Sequence, residues 1–397
     1  MNYTLHAMHR RMMEPLNLAA EAGQMMLQPV AAFYPPARFA QASLEMVGRV
    51  TRTYAKPDFG LDVEPEVVDD KPFCRLLRFR NRHGRRNAKT LLVVAPLSGH
   101  HATLLRDTVD ALIEQDDVLI TDWTCASQVP AGEGPFDMDD FVAYLMDFMV
   151  QADAEAGRGG YHAIAVCQPT VPLLAGVAVM AQRGIDSRPR SMTLMSGPID
   201  PAAAETDVTR LAKRHTLNWF RRNVIHQVPL SHPGAGRQVY PGYLQLAGFM
   251  AMNPDRHVEQ HTNLFYDRLR GDTQRAQRVA DFYDEYLSVL DLDAAFYLDT
   301  IERVFQNREL MTGEFTWRGQ PVDPGTITDT AVLTVEGGRD DISAPGQTYA
   351  AHHLLTNLPD KKKAHHLEEG AGHYGSFAGK RFHTSILPRI REFVAAN

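Results

Sequence analysis

His162-Ala163-Ile164-Ala165-Val166-Cys167-Gln168-Pro169-Thr170 reads as an apolar strand that ends on a nucleophilic side chain and turns straight into a helix. The helix is the apolar run Val171 to Met180. Pro169 suits its first turn, where a missing N–H leaves no hydrogen bond unmade. Cys167 therefore sits on the strand-to-helix turn itself. The free N–H groups and the positive dipole end of the following helix favour a thiolate and a developing oxyanion there. The common elbow of this kind reads G-x-S-x-G. Here Ala165 and Pro169 stand at the glycine positions and the nucleophile is cysteine. The competing reading is a core cysteine packed as a small hydrophobe.

Two downstream segments extend the pattern. Ala331 to Val335 is an apolar strand, followed by Glu336-Gly337-Gly338-Arg339-Asp340-Asp341-Ile342-Ser343. Glu369-Gly370-Ala371-Gly372-His373-Tyr374-Gly375 is a glycine-flanked histidine turn before a last helix, Ser385 to Ala396. Nucleophile, acid and histidine follow one another in the chain order of an α/β-hydrolase. A fourth segment, Thr90 to Ala95 followed by Pro96-Leu97-Ser98-Gly99-His100-His101, is a strand with a turn at its end. In this fold the oxyanion is held by the N–H after the nucleophile, here Gln168, and by one from that turn. Leu97 is the first choice for the second donor, and Ser98 the next.

The alternation of segments supports the same fold. Phe73 to Phe79 alternates and predicts an antiparallel edge strand. Residues 90–95 and 118–123 are apolar runs of a buried parallel sheet, with a helix over His101 to Glu114 between them. Met138 to Ala154 predicts an amphipathic helix, and Ser191 to Ser196 the strand after the Cys167 elbow. The expected architecture is a mostly parallel, doubly wound sheet with a helical cap insertion and an N-terminal helical arm.

Val93-Val94-Ala95-Pro96-Leu97-Ser98-Gly99-His100, Thr121-Asp122-Trp123, Val166-Cys167-Gln168-Pro169-Thr170, Met195-Ser196-Gly197-Pro198-Ile199-Asp200, Arg339-Asp340-Asp341-Ile342-Ser343 and Gly372-His373-Tyr374-Gly375 together resemble one family. It is the intracellular poly(3-hydroxybutyrate) depolymerases with a cysteine nucleophile. The resemblance spans residues 90 to 375. Carried over by position, it implies Cys167 as nucleophile, His373 as base and Asp340 as acid. Asp341 is the competing carboxylate. The acid usually stands two before a branched apolar residue, and Ile342 then selects Asp340. The resemblance implies an intracellular polyhydroxyalkanoate substrate, cleaved through an acyl-cysteine, and a cytoplasmic protein associated with polymer granules.

The chain of 397 residues is 44% hydrophobic, enough for a sizeable core. A formal charge of −7 argues against a nucleic-acid partner. Three cysteines, Cys74, Cys125 and Cys167, fit a reducing compartment rather than a disulfide framework. Met1 to Gly23 has no apolar stretch long enough for a secretory signal. Gly159 to Gln182 is uncharged and long enough to span a bilayer, but two prolines and a strand-to-helix turn make it core rather than a membrane span. The adjacent pairs His100-His101, His352-His353 and His365-His366 point their side chains in different directions, so no metal site is expected, and no cofactor either.

Residues 1–60 read as the arm, with Met8, Met12, Leu16, Met25, Met26 and Val30 among its apolar positions. Pro35-Pro36 breaks that pattern and Ala42 to Tyr54 predicts a second helix. Packing on the catalytic domain is one reading of the arm; a Met-rich face docked on an apolar surface is the other. Residues 61–199 and 329–397 form the expected catalytic domain, and residues 200–328, rich in aromatics on helical segments, the cap. Lys361-Lys362-Lys363 reads as a solvated charge run. Three rival functions remain at this point: one is a polyhydroxyalkanoate synthase-like acyltransferase, disfavoured by Ala165 and Pro169, and another a granule-surface binding protein without catalysis. An acyltransferase or small-ester hydrolase of the same fold is a third. The sequence leaves the acceptor (water or the thiol of coenzyme A) and the oligomeric state open.

Overall fold

The computed structural model describes residues 3–85, 87–157, 160–252 and 254–397. Two helices open the chain, α1 (Tyr3–Ala31) and α2 (Pro35–Thr51). The sheet begins with β1 (Glu66–Lys71), β2 (Cys74–Phe79) and β3 (Thr90–Val94). Helix α3 (Arg106–Ile113), β4 (Asp117–Trp123), α4 (Met138–Ala156), β5 (Tyr161–Val166), α5 (Thr170–Gln182) and β6 (Ser191–Met195) follow in strict alternation.

Residues 200–328 interrupt the sheet. They hold α6 (Asp207–Arg214), α7 (Leu217–Asn223), β7 (His226–Gln227), β8 (Gln238–Tyr240), α8 (Gly242–Met252), α9 (Pro254–Arg270), α10 (Thr273–Tyr286), β9 (Leu292–Asp293) and the hairpin of β10 (Thr316–Trp317) and β11 (Gln320–Pro321). Helices alone were predicted here. The additional strands are two or three residues long, too short for alternation to register in the sequence. The sheet resumes with β12 (Ala331–Gly337) and β13 (Lys363–Glu368), and the chain ends in the helix Leu387–Ala396.

The eight main strands lie in the order β1-β2-β4-β3-β5-β6-β12-β13. From β4 to β13 every pair is parallel; β1-β2 and β2-β4 are antiparallel. β3, β5, β6 and β12 are buried along their whole length, as strands covered by helices on both faces must be. Eleven of the 13 residues of α5 are buried, which explains why that helix is apolar all round.

Two expectations for the sheet are corrected. β2 is not an edge strand, because β1 pairs outside it. Glu66-Val67-Val68-Asp69-Asp70-Lys71 hides its strand character behind four charges and a register shift between Val67 and Asp69. At the other edge, Lys363 is not part of a loose charge run; it opens β13, whose polar residues are those of a half-exposed edge.

The arm also differs. α2 starts at Pro35 rather than Ala42, since the fixed φ of proline is preset for the first helical turn. The arm packs on residues 200–328: Tyr3 Oη donates to Asp291 Oδ2 at 2.6 Å, Arg49 Nη1 to Asp284 Oδ1 at 2.9 Å, and Arg268 Nε to Glu45 Oε2 at 2.9 Å; Tyr3 also packs against Ala126, just after β4. Met8, Met12, Met25 and Met26 stay exposed. The link from the arm to the sheet is fastened by Lys56, whose Nζ meets both oxygens of the buried Asp122 at 2.5 and 2.6 Å. No helix among the described residues is long and apolar enough to cross a membrane.

Candidate active site

The elbow is built from backbone strain. Cys167 follows β5 with φ +66°, a left-handed conformation that costs a non-glycine residue about 1–2 kcal/mol. Surrounding bonds hold it there. Cys167 N–H donates to Met195 O at 2.7 Å, and both the N–H and the hydroxyl of Thr170 donate to Cys167 O, at 3.2 and 2.9 Å. Gly197 lies underneath. A Cβ at Gly197 would stand 1.9 Å from Thr170 Oγ1 and 2.5 Å from Cys167 O, so only glycine fits. The close approach that the glycines of the common elbow allow is thus provided partly from β6, across the turn.

Asp340 and His373 meet Cys167 from the ends of two other strands. His373 Nδ1 lies 2.8 Å from Asp340 Oδ2, and both side chains are buried. The second carboxylate oxygen, Oδ1, accepts the N–H groups of Ile342 and Ser343 at 2.9 and 2.8 Å. Asp341 is exposed. Cys167 and His373 line one cavity. Burial alone would lower the pKa of His373, but Asp340 and Cys167 outweigh it and hold the imidazolium well above its ordinary range. The two loops are tied to each other through Arg339 N–H to Ala371 O at 2.8 Å and Gly338 N–H to Glu368 O at 2.9 Å.

Gln168 and Leu97, whose N–H groups are the ones expected for an oxyanion, line one cavity with Cys167. Those of Gln168 and Leu97 are taken up by no turn or helix bond among the described residues. The Leu97 turn is rigid. Ala95 N–H donates to Thr121 Oγ1 at 2.9 Å, Trp123 Nε1 to Ala95 O at 2.8 Å, and Leu290 N–H to Gly99 O at 2.8 Å. The last of these joins the turn to the segment 200–328.

A cavity of about 580 Å³ opens on Cys167 and His373. Its far wall comes from residues 200–328, with Leu211, Phe220, Tyr240, Phe249, Phe296, Tyr297, Ile301 and Phe305. Six of the aromatics noted in the sequence thus face the cavity. Tyr286 instead bonds to Tyr374, beside His373. His100, expected only as part of the turn, is buried against Tyr286 O at 3.2 Å, and burial pushes its pKa down to about 4.

Sequence reasoning missed two groups. Glu336 is buried at the end of β12 and accepts the N–H groups of Gly346, Thr348 and Tyr349 at 2.8–2.9 Å, which shapes the loop that carries Asp340. Thr348 in turn reaches Gly197. A glutamate in a strand otherwise free of charge was the available signal for the first; nothing local marks the second.

Eight strands, mostly parallel, with a strained turn at Cys167 after β5 and an insertion after β6 define an α/β-hydrolase. The fold aligns with a soluble variant of monoglyceride lipase from Saccharomyces cerevisiae at 11% identity, covering 87% of this chain and 99% of that one, with a TM-score of 0.52. Looser alignments join it to the 2-hydroxy-6-oxo-6-phenylhexa-2,4-dienoate hydrolase of Rhodococcus sp. strain RHA1 (12% identity, 84% and 99% covered, TM-score 0.43) and to Paleococcus ferrophilus monoacylglycerol lipase (12%, 81% and 98%, 0.43). No curated protein matches the chain. A family model, PHB de-polymerase C-terminus, matches residues 196–397, and the chain belongs to that family.

Proposed function

We propose that this chain is an ester hydrolase that cleaves poly(3-hydroxybutyrate) or a related polyhydroxyalkanoate, with Cys167 as nucleophile, His373 as base and Asp340 as the carboxylate that orients it. The observation that carries the reading is the 2.8 Å contact of His373 Nδ1 with Asp340 Oδ2, in an imidazole that lines one cavity with the elbow thiol, in a member of the PHB de-polymerase family. The Cys167 sulfur, having given its proton to His373, forms a C–S bond to the ester carbonyl. The N–H groups of Gln168 and Leu97 hold the oxyanion. The C–O bond to the leaving alcohol breaks as His373 returns the proton to it. Water then gives a proton to His373, attacks the thioester, and releases the acid and the thiol.

Residues 200–328 act as a cap over the cavity, residues 61–199 and 329–397 as the catalytic domain, and residues 1–60 as an arm. The protein works in the cytoplasm at polymer granules. The test is release of 3-hydroxybutyrate from amorphous polymer by the purified protein. Wild type should release it, and Cys167→Ala should not, while keeping its circular dichroism spectrum. Release by the alanine variant at the wild-type rate would refute the nucleophile; no release by either would refute the substrate.

A further inference from the structure

Gln168 carries a buried carboxamide with nothing to bond. The residue is 7% exposed, and neither Nε2 nor Oε1 has a hydrogen-bond partner among the described residues. It follows Cys167 directly and forms part of the cavity wall. Its apolar companions on that wall, such as Leu211, Phe249 and Ile301, offer no polar atom to satisfy it. An amide left unbonded away from water costs free energy, and a folded chain keeps such a cost where a ligand removes it.

We propose that the Gln168 carboxamide is a specificity group that binds the oxygen on C3 of the acyl unit held at Cys167. The inference rests on the reading of the site as one for 3-hydroxyacyl esters. C3 is two bonds from the attacked carbonyl carbon, and Gln168 is the neighbour of the residue that attacks it. A carboxamide both donates and accepts. It therefore matches a free hydroxyl on C3 at a chain end, and its Nε2–H groups serve the esterified oxygen and carbonyl found there within a chain. A plain fatty acyl chain has a methylene at C3 and leaves the amide unbonded. Discrimination of this kind is strong because the wrong substrate buries an unpaired polar group.

The experiment compares kcat/KM for p-nitrophenyl 3-hydroxybutyrate and p-nitrophenyl butyrate in wild type, Gln168→Met and Gln168→Leu. Wild type should prefer the 3-hydroxy ester, and both variants should lower that ratio by about tenfold or more. Their thermal midpoints should equal or exceed that of wild type, because an unbonded buried amide has been removed. An unchanged ratio, or no preference in wild type, overturns the assignment of Gln168 and leaves ester cleavage standing. Midpoints well below wild type in both variants overturn the premise that the amide is unbonded. Wild type that cleaves neither ester overturns the functional reading itself.

Discussion

Thr348 grips Gly197 twice: its Oγ1 accepts the Gly197 N–H at 2.8 Å and donates to the Gly197 carbonyl at 3.0 Å. Thr348 belongs to the loop that begins at Asp340, and Gly197 lies against the elbow of Cys167. The arms that carry the candidate acid and the candidate nucleophile are therefore coupled beneath the site as well as through His373.

Asp340→Asn should lower kcat by about 10⁴-fold, since the amide no longer fixes the imidazole tautomer or stabilises the imidazolium. Asp341→Asn, at an exposed side chain, should change it by less than about tenfold. Steady-state rates on a soluble ester of 3-hydroxybutyrate rank the two. The opposite ranking would move the acid to Asp341.

Glu336→Gln should destabilise the fold by about 2–3 kcal/mol, read from the urea midpoint. The carboxylate serves three backbone N–H groups, and an amide turned toward them offers one oxygen and one repelling NH₂. The rate should fall as well, because the Asp340 loop loses its anchor. A variant as stable as wild type would show that the loop holds its shape without the charge.

Gly197→Ala should cost about 3 kcal/mol or more, because the added methyl meets Thr170 Oγ1 and the Cys167 carbonyl well inside contact distance. Thermal unfolding measures it. If Gly197→Ala/Thr170→Ala loses less than the two single variants summed, the clash with the Thr170 side chain is the cause.

Stability should fall as the pH drops from about 6.5 toward 4. Burial holds His100, His101, His162 and His352 at about 4, against the ordinary 6.5. In that window the unfolded chain binds protons that the folded chain refuses, so their contribution is complete above pH 6.5 and lost as the pH falls through 4. His373 has the opposite sign. Raised in the fold, it contributes fully below pH 6.5 and loses this as the pH rises through its folded value. Below pH 6.5 His373 adds a constant, and the four rings together with His6, also held at about 4, outweigh Asp299, which burial raises to about 6, so the acid limb falls. His162→Gln should flatten the slope of thermal midpoint against pH. A midpoint constant from pH 6.5 to 4.5 would contradict the buried neutral state of these rings.

The sequence by itself determined the central strands, the elbow at Cys167 and the chain order of the three candidate residues. Each of these is written in neighbouring residues: unbroken apolar runs for β3, β5, β6 and β12, Pro169 at a helix start, glycines around His373. The spacing to Ile342 pointed to Asp340 over its neighbour Asp341, and the tertiary structure shows the physical difference: Asp340 is buried against His373 while Asp341 is exposed. The polar edge strands β1 and β13 needed their partners to become visible, since pairing rather than periodicity makes them strands. The grip of Thr348 on Gly197 spans 151 residues, and the unbonded amide of Gln168 is set by how distant segments pack around it. Local patterns record what a segment must do with its own backbone; contacts between distant segments and the burial of single polar atoms are set by packing, and no short stretch of chain encodes them.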